Sequence, residues 1–294
     1  MATNDPTKDR IKKLKESYDS LRAGKEPLLI LLDEAEIPES VYNSNAIENS
    51  TLTLQETEKI LLDMKVSRNV SVREVFEAKN LAKVVSFIRD KAKEKDVDKD
   101  LMLVLHKMLI DGISDEIAGR FREYGEYVRV GTHIAPAPEH IHLMLDSLIS
   151  HYNSDHENYF IDKISRFHLE FETIHPFNDG NGRIGRVLLN YQFQRLGFPP
   201  VIIRDKEKQI YYSSFNEYRD KKSTKIMDKI LTLALTESLH KRIAYLKGEK
   251  IITLSDYAKK EKKPAASLIN QARRQSIPAF REKGVWKIGE GVNK

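Results

Sequence analysis

The chain contains no cysteine among its 294 residues. That excludes disulfide frameworks, zinc–thiolate centres and thiol nucleophiles, and it makes a reducing compartment the simplest home. Long apolar runs are also missing. The longest near the N-terminus, PLLILL, stops at Asp33 and is far shorter than the roughly 20 residues a membrane-spanning helix needs. The opening MATNDPTKDRIKKLKESYD is charged and has no apolar segment, so no secretory signal is expected. Together these absences predict a cytoplasmic protein with no membrane contact. No internal repeat or long low-complexity segment is present. The length suits one large domain or two unequal ones.

A strong net charge is lacking too, since the formal total is +5. Its distribution is uneven. Residues 251–294 hold ten Lys/Arg against four acids, a net of +6, which leaves −1 for the other 250 residues. The basic excess therefore belongs to a short C-terminal unit, an electrostatic footprint that suits nucleic acid.

Most of the chain has helical periodicity. Ile11, Leu14, Tyr18 and Leu21 recur at spacings of three or four. Thr53 with Glu56, and Ser71 with Glu74, are capping-box patterns that open helices over roughly 53–65 and 71–92. A charged connector follows, then a helix over roughly 99–110. The segment GRFREYGEYVRVGTHIA breaks the pattern, with β-branched and aromatic residues on either side of Gly125, and predicts a β-hairpin flap. Helices resume over roughly 139–153 and 159–175. Pro176 disfavours a helical His175, which places His175 at a helix end. Another helix starts near Asn181–Gly182 and stops at Gly197. Two more span roughly 208–221 and 223–247. After Gly248, Thr253 caps one short helix, Pro264 starts a second, and AFREKGVWKIG forms a hairpin turning at Lys283-Gly284. That is the plan of a small winged helix, with Arg273 and Arg274 ending its second helix and Trp286 in its core.

The stretch HPFNDGNGRIGR, residues 175–186, concentrates chemistry. Gly180, Asn181 and Gly182 precede a helix, where free N–H groups and the helix dipole form an anion site. Arg183 and Arg186 lie three apart and can clamp phosphates from one face. Asp179 beside an anion site is repelled by phosphate, and a bridging Mg²⁺ resolves that conflict. His175 at the rim has the pKa range for removing a proton from a hydroxyl. A Walker A reading fails, because Arg186-Val187 stands where Lys-Ser/Thr is required and the upstream element is helical. A di-iron reading of Glu139…His142 and Glu172…His175 fails as well. Glu139 follows a proline-rich loop and His175 precedes a proline, so the pairs cannot both face a bundle core.

Residues 175–186 resemble the complete motif of the Fic (Fido) family, helical enzymes that move AMP from ATP to protein hydroxyls. The flap GRFREYGEYVRVGTHIAPAP and the stretch GFPPVIIRDKEKQIYY are also similar to that family, over roughly residues 40–235. The resemblance implies a mainly α fold: a helical bundle with a β-hairpin flap, here joined to a small α+β winged helix. It implies that His175 is the base, that Asp179 holds Mg²⁺, and that Gly180, Asn181 and Gly182 cradle the inner phosphates. Arg183 and Arg186 would hold the outer ones, with Ile184 and Gly185 in the same nucleotide-binding run. Phe177 would be a buried anchor. Val130, Gly131, Thr132 and His133 of the flap would lie near the nucleotide, and Tyr212 would line its pocket.

The stretch SNAIEN, residues 44–49, lies in an expected short helix over roughly 39–49, starting after Pro38. Alone it reads as an ordinary solvated face. It resembles the family's inhibitory motif, in which Ser44, Glu48 and Asn49 would act by pairing Glu48 with Arg186. The resulting expectation is a self-inhibited protein adenylyltransferase, with ATP and a hydroxyl-bearing target protein, itself included, as partners. Its organisation would be residues 1–95 carrying the inhibitory helix, a catalytic core over 96–247, and a C-terminal unit over 248–294 that contacts DNA or sets a homodimer. The alternatives are a nucleotide-sensing DNA-binding regulator, an enzyme of this fold using another donor such as UTP, and removal of AMP assisted by Glu48.

Overall fold

The computed structural model describes residues 3–66 and 70–291, so the last three residues of the basic C-terminal unit lie outside the described residues. Helix α1 (Asp5–Arg22) starts where the Asn4 side chain accepts the Thr7 N–H. Helix α2 is Glu26–Ile47, with Pro38 inside it. The helix expected to begin after Pro38 is thus the second half of a longer one. Proline removes one helical N–H. The loss is tolerated because Pro38, Val41 and Ile47 are all buried and hold the element by tertiary packing.

Helix α3 (Leu54–Glu58) opens on the Thr53/Glu56 capping box and runs into a π-helical turn, Lys59–Asp63. Helix α4 (Val72–Lys91) uses half of the second box. Ser71 caps the Glu74 N–H, while the Glu74 carboxylate accepts from the backbone N–H of Thr51 and the hydroxyls of Thr51 and Ser50. Helix α5 is Lys99–Ile110. The flap is smaller than expected. Its strands β1 (Arg129–Val130) and β2 (His133–Ile134) turn at Gly131-Thr132, not at Gly125. Residues 120–126 are held as a loop instead, by an Arg120–Glu126 pair and by Arg122.

Helices α6 (Ile141–Ser154), α7 (Phe160–Ile174), α8 (Asn181–Arg195), α9 (Lys208–Lys221) and α10 (Lys225–Leu246) complete the bundle. Two buried clusters form its core. One gathers side chains of α2, α4, α5, α6, α7 and α8 around Leu105, Phe171 and Leu188. The other joins α1, α7, α8, α9 and α10 around Ile164, Phe193 and Leu235. Because α7 and α8 serve both clusters, the turn between them is anchored from two sides.

The C-terminal module holds β3 (Lys250–Thr253), α11 (Leu254–Lys260), α12 (Ala265–Arg273), β4 (Ala279–Glu282) and β5 (Val285–Glu290). The expected two-stranded wing is a three-stranded antiparallel sheet of order β3-β5-β4, because Lys250–Thr253 adds an outer strand. Lys283 and Gly284 both have positive φ (51° and 76°), which is what a two-residue hairpin turn requires. Trp286 is half-buried at the edge of the module's small core, with the Arg281 guanidinium 4.6 Å from its ring centre.

That hairpin docks on α2. The buried Glu39 carboxylate accepts the backbone N–H groups of Lys283 and Gly284, each at 3.0 Å, and pairs with Arg204. Arg204 also reaches Glu237 on α10 at 3.0 Å, and Glu237 in turn takes Arg281 of β4 at 2.6 Å. Lys241 bridges Glu36 of α2 (2.9 Å) and Glu282 of β4 (3.2 Å). Among the described residues no helix is long and apolar enough to cross a membrane.

Candidate active site

The α7–α8 turn is built by backbone geometry. His175 caps α7 in the left-handed region (φ 50°), a conformation that histidine tolerates better than most residues, and its N–H still reaches the Phe171 carbonyl at 2.9 Å. Gly180 precedes α8 with φ 79°, where a side chain would be strained and would also meet Leu109 at 3.0 Å. The Asn181 side chain closes the turn by exchanging two hydrogen bonds with the Phe177 backbone, at 2.7 and 2.8 Å. What Asn181 can offer a ligand is therefore its backbone. Phe177 is fully buried and stacks on His106 with ring centres 3.8 Å apart. The Gly119 N–H donates to His106 Nδ1, so Nε2 carries the proton that His106 donates to the Asp179 carbonyl at 3.1 Å.

Arg122 is a part of the site that sequence reasoning missed. Its buried guanidinium donates to the carbonyls of His175 (2.9 Å), Glu126 (2.8 Å) and Pro136 (2.9 Å), tying the end of α7 to the flap. An arginine in a loop of mixed charge carries no sequence signal for such a role.

A cavity of about 540 Å³ opens at this turn. His175, Asp179, Gly180, Asn181, Gly182, Arg183, Glu48, Asn49 and Val130 line it, as expected. Arg73 and Glu77 of α4 line it too and were not anticipated, because an i,i+4 Arg–Glu pair reads as an ordinary exposed face. The other expected contacts fall elsewhere. Ile184 is fully buried in the core, and Gly185 lies against Glu172 and His168 of α7, where a Cβ would meet the Glu172 carboxylate at 2.3 Å. Ile184 lies about 200° around the helix from Gly182, whereas Gly185 is kept from the cavity by the close packing of α7 over it. Gly131 and Thr132 form the exposed flap turn, and His133 turns back to the Thr173 carbonyl at 2.9 Å. Tyr212 does not line the cavity. Its hydroxyl donates to the Ile47 carbonyl at 2.8 Å and so braces the end of α2. Tyr211 is the tyrosine that touches the motif, with its hydroxyl between His168 (2.8 Å) and Arg186 (3.4 Å).

Arg186 is occupied. Its Nε donates to the Ser44 hydroxyl at 3.0 Å, and its Nη2 donates to the Ser44 carbonyl and to Glu48 Oε1, each at 2.8 Å. Glu48 Oε1 also lies so near Gly182 that a Cβ there would meet it at 2.2 Å. The carboxylate thus rests at the N-terminal end of α8, where the dipole and free N–H groups favour an anion. Asn49, with φ 68°, accepts from Lys208 at 2.9 Å and ends the segment.

Electrostatics sort the titratable groups. Burial pushes the His175 imidazole down to about 4, against an opposing pull from the Glu172 carbonyl and Glu48. It is a neutral imidazole at pH 7. Burial pushes Glu172 up to about 8, and the Glu48 charge adds to it. Glu172 Oε2 lies 3.8 Å from His175 Nδ1, too long for a hydrogen bond. Burial alone would raise Asp179, but Arg183, Arg73 and the Gly180 N–H outweigh it and hold the carboxyl below its usual range.

Comparison with known proteins bears on this geometry. Residues 96–193 match the model of the Fic/DOC family. The protein adenylyltransferase Fic of Nematostella vectensis is 30% identical over 213 residues, covering 71% of this chain and 49% of that protein. Protein adenylyltransferase fic-1 of Caenorhabditis elegans is 34% identical over 182 residues, covering 60% of this chain and 35% of that protein. The chain thus spans half or less of the length of these curated relatives. Among solved structures, Fic-1 from C. elegans superposes with a TM-score of 0.66 at 26% identity, over 81% of this chain and 73% of that one. A Fic domain containing signaling protein from Bacteroides thetaiotaomicron reaches 0.72 at 24% identity, over 82% and 97%. The latter likeness speaks for the fold.

Proposed function

Since the chain belongs to the Fic/DOC family through residues 96–193, we propose that it is a protein adenylyltransferase that moves AMP from ATP to a Ser, Thr or Tyr hydroxyl, and that Glu48 restrains it. The observation that carries the reading is the seat of Glu48. Its carboxylate lies on the α8 N-terminus and on Arg186, so it fills the place that the motif offers to a phosphate. The names of the relatives support the same activity.

In this mechanism the N-terminus of α8, from Gly180 to Gly182, receives the inner phosphates, and Arg183 and Arg186 hold the outer ones. The neutral His175 takes the proton of the target hydroxyl. The oxygen forms a bond to the α-phosphorus, the bond to the β-phosphate oxygen breaks, and pyrophosphate carries away the electron pair. Val128, Arg129 and Val130 stand at the cavity edge, where the short strand β1 can align an extended target segment.

The residues fit a Mg²⁺ ion bound mainly by substrate. Among the described residues no group of three His, Cys, Asp or Glu could hold a metal by itself. One of the cavity-lining carboxylates, Asp179, suits an ion whose other ligands would be phosphate oxygens and water. Such an ion supplies neutralisation of the triphosphate charge.

The test is label transfer from α-³²P-ATP with Mg²⁺ and a cell lysate. Glu48→Gly should transfer about tenfold or more faster than wild type, the scale of losing one charge-assisted hydrogen bond of about 1.5–3 kcal/mol. The Glu48→Gly/His175→Ala double variant should transfer nothing while still binding ATP. Labelling from another nucleotide but not from ATP would move the function to another donor.

The exposed Lys259, Lys260, Lys262, Lys263, Arg273 and Arg274 of the C-terminal module favour a DNA contact on the α11–α12 side. Lys259, Lys260 and Lys263 pair with Asp256, Glu290 and Glu261 but stay more than half exposed, whereas Arg281 and Lys287 of the wing are largely covered where they pair with Glu237 and Glu282, which makes the wing a poorer candidate. A salt titration of DNA binding by the full chain tests this, and no binding at low salt would remove it.

A further inference from the structure

Four charged side chains close a ring at the mouth of the cavity. Arg73 pairs with Asp179 Oδ2, and Arg73 Nε donates to Glu77 Oε1 at 3.0 Å. Glu77 Oε1 also takes Arg183 Nη1 at 3.2 Å, and Arg183 Nη2 returns to Asp179 Oδ1 at 3.2 Å. The two oxygens of Asp179 are not equivalent. Oδ1 is committed to the turn itself, since it accepts the Gly180 N–H at 2.6 Å as well as Arg183. Oδ2 is the oxygen available to a cation, and Arg73 holds it. The two arginines differ as well. Arg183 is fixed, with a side chain only 4% exposed, whereas the Arg73 side chain is 56% exposed and can swing away while Nε keeps Glu77.

We infer that Arg73 is a positioning residue that stands in for the divalent cation at Asp179 and competes with it. This rests on the adenylyltransferase reading for the identity of the ligand, but not on catalysis. Without the ion, an unpaired Asp179 would repel an incoming triphosphate, and Arg73 screens it. When Mg²⁺ arrives with the nucleotide, Arg73 yields Oδ2 and moves toward the solvent side of the cavity. Occupancy of Asp179 therefore passes from one cation to another, and the acid is never left bare. Arg73 lies outside the motif, on a helix that motif reading assigns no role.

The test is the affinity of a nonhydrolysable ATP analogue, measured by calorimetry with and without Mg²⁺ in the full-length Glu48→Gly protein. The quantity of interest is the factor by which Mg²⁺ tightens binding. Arg73→Ala should enlarge that factor about fivefold, the worth of one half-exposed ion pair, because the ion no longer displaces a competitor and ion-free binding loses its screen. Arg73→Lys should stay near the parent. An Arg73→Ala factor equal to or below the parent's would overturn the inference. Asp179→Ala should bring the factor close to one. If Mg²⁺ still tightens binding strongly in Asp179→Ala, the ion sits elsewhere, and the inference falls with that assignment even if transfer persists. Loss of all analogue binding in the Glu48→Gly parent would instead count against the nucleotide reading itself.

Discussion

At the scale of single residues, His175 owes its chemistry to burial more than to a partner. A proton on it must enter a site with little water, beside Arg122, which the neutral form avoids. The sign of the pH dependence follows. As the proposed base, His175 is competent wherever it is neutral, so its contribution to rate should persist as pH falls past 6.5 and fade only near 4. Removing Glu48 takes away a charge that raises this value, so the Glu48→Gly protein should hold its transfer rate flat from pH 8 to about 5.5. A rate profile of that variant with a half-point near 6.5 would show the imidazole to be solvated and would contradict this geometry. That His175, Asp179, Gly180 and Gly182 meet at one cavity was legible because they follow one another along a single loop. Arg73 and Arg122 were not, because their roles exist only once α4 and the flap have packed against that loop.

At the scale of elements, one guanidinium ties the end of α7 to the flap. Arg122 serves carbonyls of the α7 end, the flap loop and the proline loop at once. Arg122→Met would keep the volume and leave those carbonyls unpaired. The expected cost is about 3 kcal/mol, which is a fall in Tm of about 8 °C for a chain of this size. A thermal melt within about 2 °C of wild type would mean that water replaces the guanidinium at no cost. Several helix ends were legible, since Thr53, Ser71 and Gly197 carry ordinary capping chemistry. The exception was α2. Local rules end a helix at Pro38, and long-range burial of Val41 and Ile47 overrides them.

At the scale of the whole molecule, the C-terminal module and the helix bearing Glu48 share a carboxylate. Glu39 lies nine residues before Glu48 on α2, about 13 Å along its axis. It binds the β4–β5 turn and Arg204 together. Glu39→Gln removes the charge that Arg204 needs and presents an amide where two N–H donors converge. Hydrogen exchange over residues 39–48 should quicken, and transfer with Glu48 intact should rise several-fold, because a buried pair costs about 3–5 kcal/mol to break. Unchanged exchange and unchanged transfer would show that α2 is held by the active-site end alone. The hairpin turn at Lys283-Gly284 was legible, but what it grips was not, since nothing in Glu39 marks it off from other helical glutamates.

Linkage makes this junction work in both directions. Any factor by which the module stiffens α2 against the active site is the same factor by which a ligand that displaces α2 loosens the module. Nucleotide seated on Arg186 would then register as faster amide exchange at Lys283 and Gly284, where the hairpin docks on Glu39, nine residues before Glu48. The hairpin would serve as a gauge of site occupancy that can be read without any target protein present.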